Sequence, residues 1–79
     1  MNKQRRARLE QIAARIRDEI IVELEQLRDD EQEYLDNVPQ SLQDGERATA
    51  SSEAIQEIED ALQNLEQVVD QLNTARGEG

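Results

Sequence analysis

A heptad repeat in the second half of the chain restricts the possible folds more than any other feature. Residues 54–74 divide into three sevens, AIQEIED, ALQNLEQ and VVDQLNT, and the first, second and fifth residue of each seven is apolar. Three apolar positions in seven are typical of an α-helix that buries one face. We predict a helix over about 45–75, followed by Gly77 beyond its C-terminal end. The predicted core rows are Ile55, Leu62 and Val69, and Ile58, Leu65 and Leu72, flanked by Ala54, Ala61, Val68 and Ala75.

The first half of the chain predicts a longer helix over about 3–36. Its apolar residues recur every three or four positions, as on one face of an α-helix. Ile20, Ile21 and Val22 are consecutive, and one stripe cannot bury all three. The surplus apolar surface therefore indicates a contact with another subunit. The predicted stripe is Leu9, Ile12, Ile16, Ile20, Leu24 and Leu27, continued by Tyr34 or Leu35.

The connection between the helices is expected over about 37–44. Pro39 cannot continue a helix, and it pushes the residue before it towards extended geometry. A single helical turn is expected over 41–44. Asp44 is the expected N-cap of a second helix that begins near Gly45, and a later start capped by Ser51 is the alternative.

The fold class that follows is all-α, an antiparallel two-helix hairpin forming one domain over 1–79. A chain of 79 residues seldom gains more than about 3–5 kcal/mol from a single core. The chain has no cysteine for a disulfide and no histidine to help bind a structural metal, so we expect it to gain stability by oligomerising into a helical bundle. The residues assigned to the hairpin core or the oligomer contact are Ile12, Ile16, Ile20, Ile21, Leu24, Leu27, Ile55, Ile58, Leu62, Leu65, Val69 and Leu72.

Charge is distributed unevenly within a total of −10. Residues 1–17 hold six basic residues against Glu10, a local net charge of +5, and the remainder holds three basic residues against 18 acidic ones. Cations at a helix N-terminus oppose the helix dipole, so this placement requires an anionic neighbour, either a ligand or the acidic body of another subunit. Direct DNA binding is not expected, because the acidic body would repel a duplex. The basic residues expected to project beyond helix two are Lys3, Arg5, Arg6 and Arg8.

Catalysis, metal binding and membrane insertion find little support in this composition. There is no histidine or cysteine, and Lys3 is the sole lysine, so we expect neither an enzyme nor a cofactor. The acidic run over 29–36 lacks the spacing of an EF-hand loop, so no metal site is predicted. No apolar run approaches the roughly 20 residues of a membrane span. The first residues are basic but lack the continuous apolar segment and the cleavage site of a secretory signal. We expect a cytoplasmic protein.

The best candidate site spans residues 34–52. Tyr34 can stack on a planar group, and Arg47 can direct two hydrogen bonds to a phosphate or carboxylate. Acidic residues close by would repel an anion. The alternative is a structural loop in which Leu42 plugs the end of the bundle while Tyr34 and Pro39 pack against it. The candidate ligand-binding residues are Tyr34, Asn37, Arg47, Thr49, Ser51 and Ser52, with Arg5, Arg6 and Arg8 of a neighbouring subunit.

Residues 31–72 carry a resemblance to known proteins. The segments EQEYLDNVPQSLQ, GER and EAIQEIEDALQNLEQVVDQL resemble short helical-hairpin proteins of phages and prophages. The resemblance implies a phage setting and the cytoplasm of a host cell. By analogy with small phage proteins that counter bacterial defence, we expect an oligomeric sponge for an anionic nucleotide signal. The alternatives are an acidic mimic of nucleic acid that inhibits a basic host protein, and an oligomerisation or scaffold module without a ligand.

Overall fold

The chain is an antiparallel hairpin of two long helices, as the heptad pattern predicts. A computed structural model describes residues 1–42 and 45–77, and the molecule measures 59 × 16 × 15 Å. Helix one consists of α1 (Lys3–Arg15), a π-helical segment (Ile16–Ile20) and α2 (Ile21–Asp36). A 3-10 turn, Gln40–Leu42, lies in the connection, and helix two is α3 (Glu46–Ala75). The two helices are 34 and 30 residues long.

Helix two follows its predicted pattern. Ile55, Leu62 and Val69 are buried, and the row of Ile58, Leu65 and Leu72 is half-buried against them. Both rows continue one heptad further towards the connection, through two residues that are also buried. These two residues are Ala48 and Ser51.

Helix one departs from its predicted stripe because of the π-helical segment. The N–H of Ile21 donates to the carbonyl of Ile16, five residues earlier, so the turn holds one extra residue. Ile21 is therefore the next inward residue, and Ile20 points away from helix two. The single stripe predicted for helix one is corrected accordingly. Leu9, Ile16, Leu24 and Leu35 are half-buried, whereas Ile12, Ile20, Leu27 and Tyr34 are exposed.

The core of the single hairpin is a narrow row along the seam between the helices. Ala13 and Ile21 of helix one form one buried cluster with Leu62 and Val69 of helix two. Half-buried leucines and isoleucines pack against this cluster; they are Ile16, Leu24, Ile58, Leu65 and Leu72. We call the inward residues of both helices the inner row. They are Ala13, Ile21, Arg28 and Leu35 on helix one and Ala48, Ile55, Leu62 and Val69 on helix two.

The helix boundaries have local causes. Asn2 caps helix one, with its side-chain Oδ1 accepting a 2.8 Å hydrogen bond from the N–H of Arg5. Helix two begins at Glu46, after the extended backbone of Gly45, so the alternative start capped by Ser51 is wrong. Beyond its end, Gly77 has a φ of 84°, a left-handed conformation that favours glycine. The expected cap Asp44 and the second half of the turn expected over 41–44 lie outside the described residues.

The basic start of helix one lies at the open end of the hairpin, beside the residues that follow helix two. Gly77 lies beside the guanidinium of Arg6, since a Cβ on this glycine would stand 3.7 Å from that group's central carbon. The Nη1 of Arg76 lies 3.7 Å from the Oε2 of Glu10. Arg6 is therefore level with Gly77, two residues past the end of helix two at Ala75. Only residues 1–5 precede this level.

Candidate functional site

The hairpin has two long sides of opposite chemistry. On each helix, the residue immediately before each inner-row residue lies on one side, and the residue four positions after it lies on the other. Because the helices are antiparallel, corresponding positions of both helices share a side. We call the first the apolar side: Ile12, Ile20, Leu27 and Tyr34 of helix one, with Ala54, Ala61 and Val68 of helix two. Its row on helix two continues to Arg47 at the closed end and to Ala75 at the open end. We call the second the polar side: Glu10, Arg17, Glu25 and Gln32, with Ser52, Glu59, Glu66 and Asn73.

Surface grooves support this division. Glu25 of helix one lines one groove with Glu59 and Glu66 of helix two, so the polar positions of both helices meet on one side. At the closed end, Tyr34 lines a cavity with Arg47, which stands seven residues before Ala54 and continues its row. The apolar positions of both helices therefore meet on the opposite side.

The apolar side remains open in the single chain. The exposed fraction is 44% for Ile20, 57% for Leu27 and 45% for Tyr34. Val68 of helix two is also exposed, and the alanines of its row are exposed or half-buried. The row thus presents large side chains on helix one and small ones on helix two.

The cavity at the closed end has a volume of about 470 Å³. It brings together three predicted site residues, Tyr34, Asn37 and Arg47. Leu42 is 60% exposed in the single chain and lines this cavity with Tyr34 and Pro39. The full lining is Tyr34, Asn37, Val38, Pro39, Leu42, Gly45, Arg47 and Ala48.

The predicted hydroxyl cluster does not join this cavity. Ser51 is buried in the seam, and its Oγ donates a 2.6 Å hydrogen bond to Oε2 of the half-buried Glu31. Thr49 and Ser52 are exposed on other faces of helix two and do not line the cavity. The sequence does indicate that Ser51 is buried, because it stands seven residues before Ile58 in the same row of helix two.

The predicted arginines of the basic start lie at the other end of the 59 Å molecule. Arg5 and Arg8 border a shallow groove with Met1, Leu9 and Ile12. Within one chain they are therefore separated from Tyr34 and Arg47 by nearly the full length of the hairpin.

Arg17 and Asp18 form an exposed ion pair on helix one. Asp18 raises the pKa of Arg17 above its ordinary value, first through a 3.1 Å hydrogen bond and then through charge attraction, but both side chains are exposed. Over residues 1–42 and 45–77, no cluster of acidic side chains has the arrangement of a metal site. Within the same ranges, no helix is long and apolar enough to cross a membrane.

Comparison with protein-family models, with curated proteins and with solved structures finds no match to this chain. The geometry above is therefore the basis for any functional conclusion.

Proposed function

We propose that this protein is a non-catalytic binding protein, an oligomeric sponge that takes up an anionic nucleotide signal at the closed-end cavity. The observation that carries the proposal is the shared lining of one cavity by Tyr34 and Arg47. A volume of about 470 Å³ lies within the roughly 300–1,000 Å³ range of small-molecule sites.

The chemistry of the lining suits a ligand with a flat ring and a negative group. Val38, Pro39 and Leu42 supply apolar wall, and the ring of Tyr34 can stack on a base. The guanidinium of Arg47 can donate two parallel hydrogen bonds to a phosphate. The side-chain amide of Asn37 can both donate to and accept from a base edge.

Isothermal titration against a panel of cyclic nucleotides and ADP-ribose derivatives tests the proposal. A hydrogen bond to a charged group contributes about 1.5–3 kcal/mol, so Arg47→Gln should weaken binding by roughly 10- to 150-fold. Arg17→Gln is the matched control, because it removes the same charge from an exposed site on the polar side. Flat titrations of the unaltered protein across the panel, or equal losses in both variants, would refute the proposal.

A second candidate is an oligomerisation or scaffold module that needs no ligand. The open apolar side favours it, since contiguous exposed apolar surface marks an interaction site. Native mass spectrometry separates the two candidates. An oligomer that binds nothing in the titrations supports the second candidate alone, and an oligomer with a bound nucleotide supports the first.

A further inference from the structure

We infer that the apolar side is the contact surface for a second copy of this chain, and that the two copies pack head to tail. The open end of the hairpin is where helix one begins and helix two ends, and the closed end is the connection between the helices. In the head-to-tail arrangement, the open end of one hairpin lies beside the closed end of the other. The inference concerns the unliganded protein and is independent of the nucleotide proposal.

The first support is the extent of uncovered apolar surface. The exposed row runs from Ile12 to Tyr34, about 33 Å of helix one at 1.5 Å per residue, and Val68 is exposed on helix two. Half-buried residues border the exposed row along both helices and would be covered with it. These are Leu9, Ile16 and Leu24 on helix one, Val38 in the connection, and Ile58, Leu65 and Leu72 on helix two.

The second support is symmetry. Two hairpins that meet through the same side about a two-fold axis, with their long axes aligned, have two arrangements. With the axis along the hairpin, the open ends lie together and each helix one faces the partner's helix two. With the axis across the hairpin, the copies are head to tail, helix one faces helix one, and helix two faces helix two.

Charge distinguishes these two arrangements. Arg15, Glu23 and Asp30 border the apolar side of helix one, because each stands three residues after a row residue. The corresponding border of helix two holds Glu57, Asn64 and Gln71. Head-to-tail packing brings the basic half of helix one beside the partner's acidic half, with Arg15 near the partner's Asp30. These two attractive pairs outnumber the one like-charge pair, Glu23 with the partner's Glu23 near the axis. The other arrangement places Asp30 near the partner's Glu57, which is a repulsive pair.

The third support is the small row of helix two. In the head-to-tail arrangement, the two copies of helix two face each other across Ala54, Ala61 and Ala75. Small side chains allow helix backbones to approach closely. The border residues Asn64 and Gln71 are neutral, so this approach brings few like charges together.

Head-to-tail packing also completes the closed end. Arg5 stands seven residues before Ile12 and continues its row at the open end. The partner's Arg5 therefore comes close to Tyr34 and the closed-end cavity. A site that has one arginine in the single chain gains a second cation from the partner.

Spin-label distances test the orientation directly, and the absence of cysteine allows single labels. With the two-fold axis near residue 22, labels on Gln4→Cys should lie about 50 Å apart at 1.5 Å per residue. If the open ends lay together, they would lie roughly 20 Å apart. Gln26→Cys, near the axis, is the control and should give a short distance in either arrangement. A monomer, or a short distance for Gln4→Cys, would overturn the inference.

A charge reversal supplies a second test. Arg15 and Asp30 are about 22 Å apart on one helix, so they cannot pair within a chain. Arg15→Glu should weaken association by up to about 25-fold, since each exposed pair contributes up to ~1 kcal/mol and two are lost. Arg15→Glu combined with Asp30→Arg should restore association. Failure of the double variant to recover, with its helicity intact by circular dichroism, would contradict the head-to-tail order.

Discussion

Replacing Leu27 by alanine separates the stability of the assembly from that of the single hairpin. Leu27 is 57% exposed in one chain, so truncation there removes little buried surface, and alanine is the better helix former. Complete burial of a leucine side chain contributes about 1.5–3 kcal/mol. The exposed part would contribute roughly 1–1.5 kcal/mol per copy once a second hairpin covers it. Two copies lose about 2–3 kcal/mol, so the dissociation constant should rise about 30- to 150-fold.

Sedimentation equilibrium measures this dissociation constant, and thermal unfolding at several protein concentrations provides an independent check. Val22→Ala is the matched control, because Val22 is also an exposed apolar residue of helix one but lies off the apolar side. We expect Val22→Ala to leave association unchanged. Equal effects of the two substitutions, or a melting temperature independent of concentration in the unaltered protein, would refute the assignment of the apolar side.

Two further substitutions and a pair of single-residue deletions examine the hairpin itself. Ser51→Ala removes the hydrogen bond to Glu31 and should lower the free energy of unfolding by about 1 kcal/mol in urea titrations. Gly77→Ala places a side chain on a backbone with a φ of 84° and should cost about 1 kcal/mol, measured in the same way. Deleting Glu19 removes the extra residue of the π-helical segment and should preserve the melting temperature to within a few degrees. Deleting Gln26, in the regular α-helix, should lower it strongly because every inward residue on one side of the deletion is misplaced.

Each of these expectations has a contrary result. A more stable Ser51→Ala variant would mean that the buried hydroxyl does not stabilise Glu31. An unchanged Gly77→Ala variant would mean that the left-handed residue contributes nothing to the end of helix two. Similar losses for the two deletions would mean that the π-helical segment does not store a removable residue.

The two helices differ in how far their packing can be predicted from sequence. In helix two, every seven repeats the same apolar positions without interruption, so Ile55, Leu62 and Val69 are identified as core directly. In helix one, three consecutive apolar residues leave the choice between Ile20 and Ile21 open. The structure resolves it with a π turn, which places Ile21 in the inner row and leaves Ile20 exposed. Spacing alone does not reveal where a helix accommodates an extra residue.

The candidate site, like helix one, could be predicted from the sequence only in part. A hairpin connection necessarily brings the end of one helix near the start of the next, so the proximity of Tyr34 and Arg47 follows from topology. The hydroxyls were harder to place, because a residue's direction on a helix depends on its position in the repeat. Ser51 occupies a core row and bonds to Glu31, whereas Thr49 and Ser52 are directed elsewhere.

In the inferred dimer, the narrow inner row would make the stability of this protein depend on its own abundance. Among the described residues, Ile21, Ile55, Leu62 and Val69 each keep 6–8% of their surface exposed, so a single hairpin leaves even its best-buried large side chains partly wet. A chain whose apolar surface is completed by a second copy is folded most securely when copies are plentiful, since dimer formation rises with the square of monomer concentration. Expression level would then act as a threshold: scarce chains are exposed to proteolysis, and abundant chains protect one another.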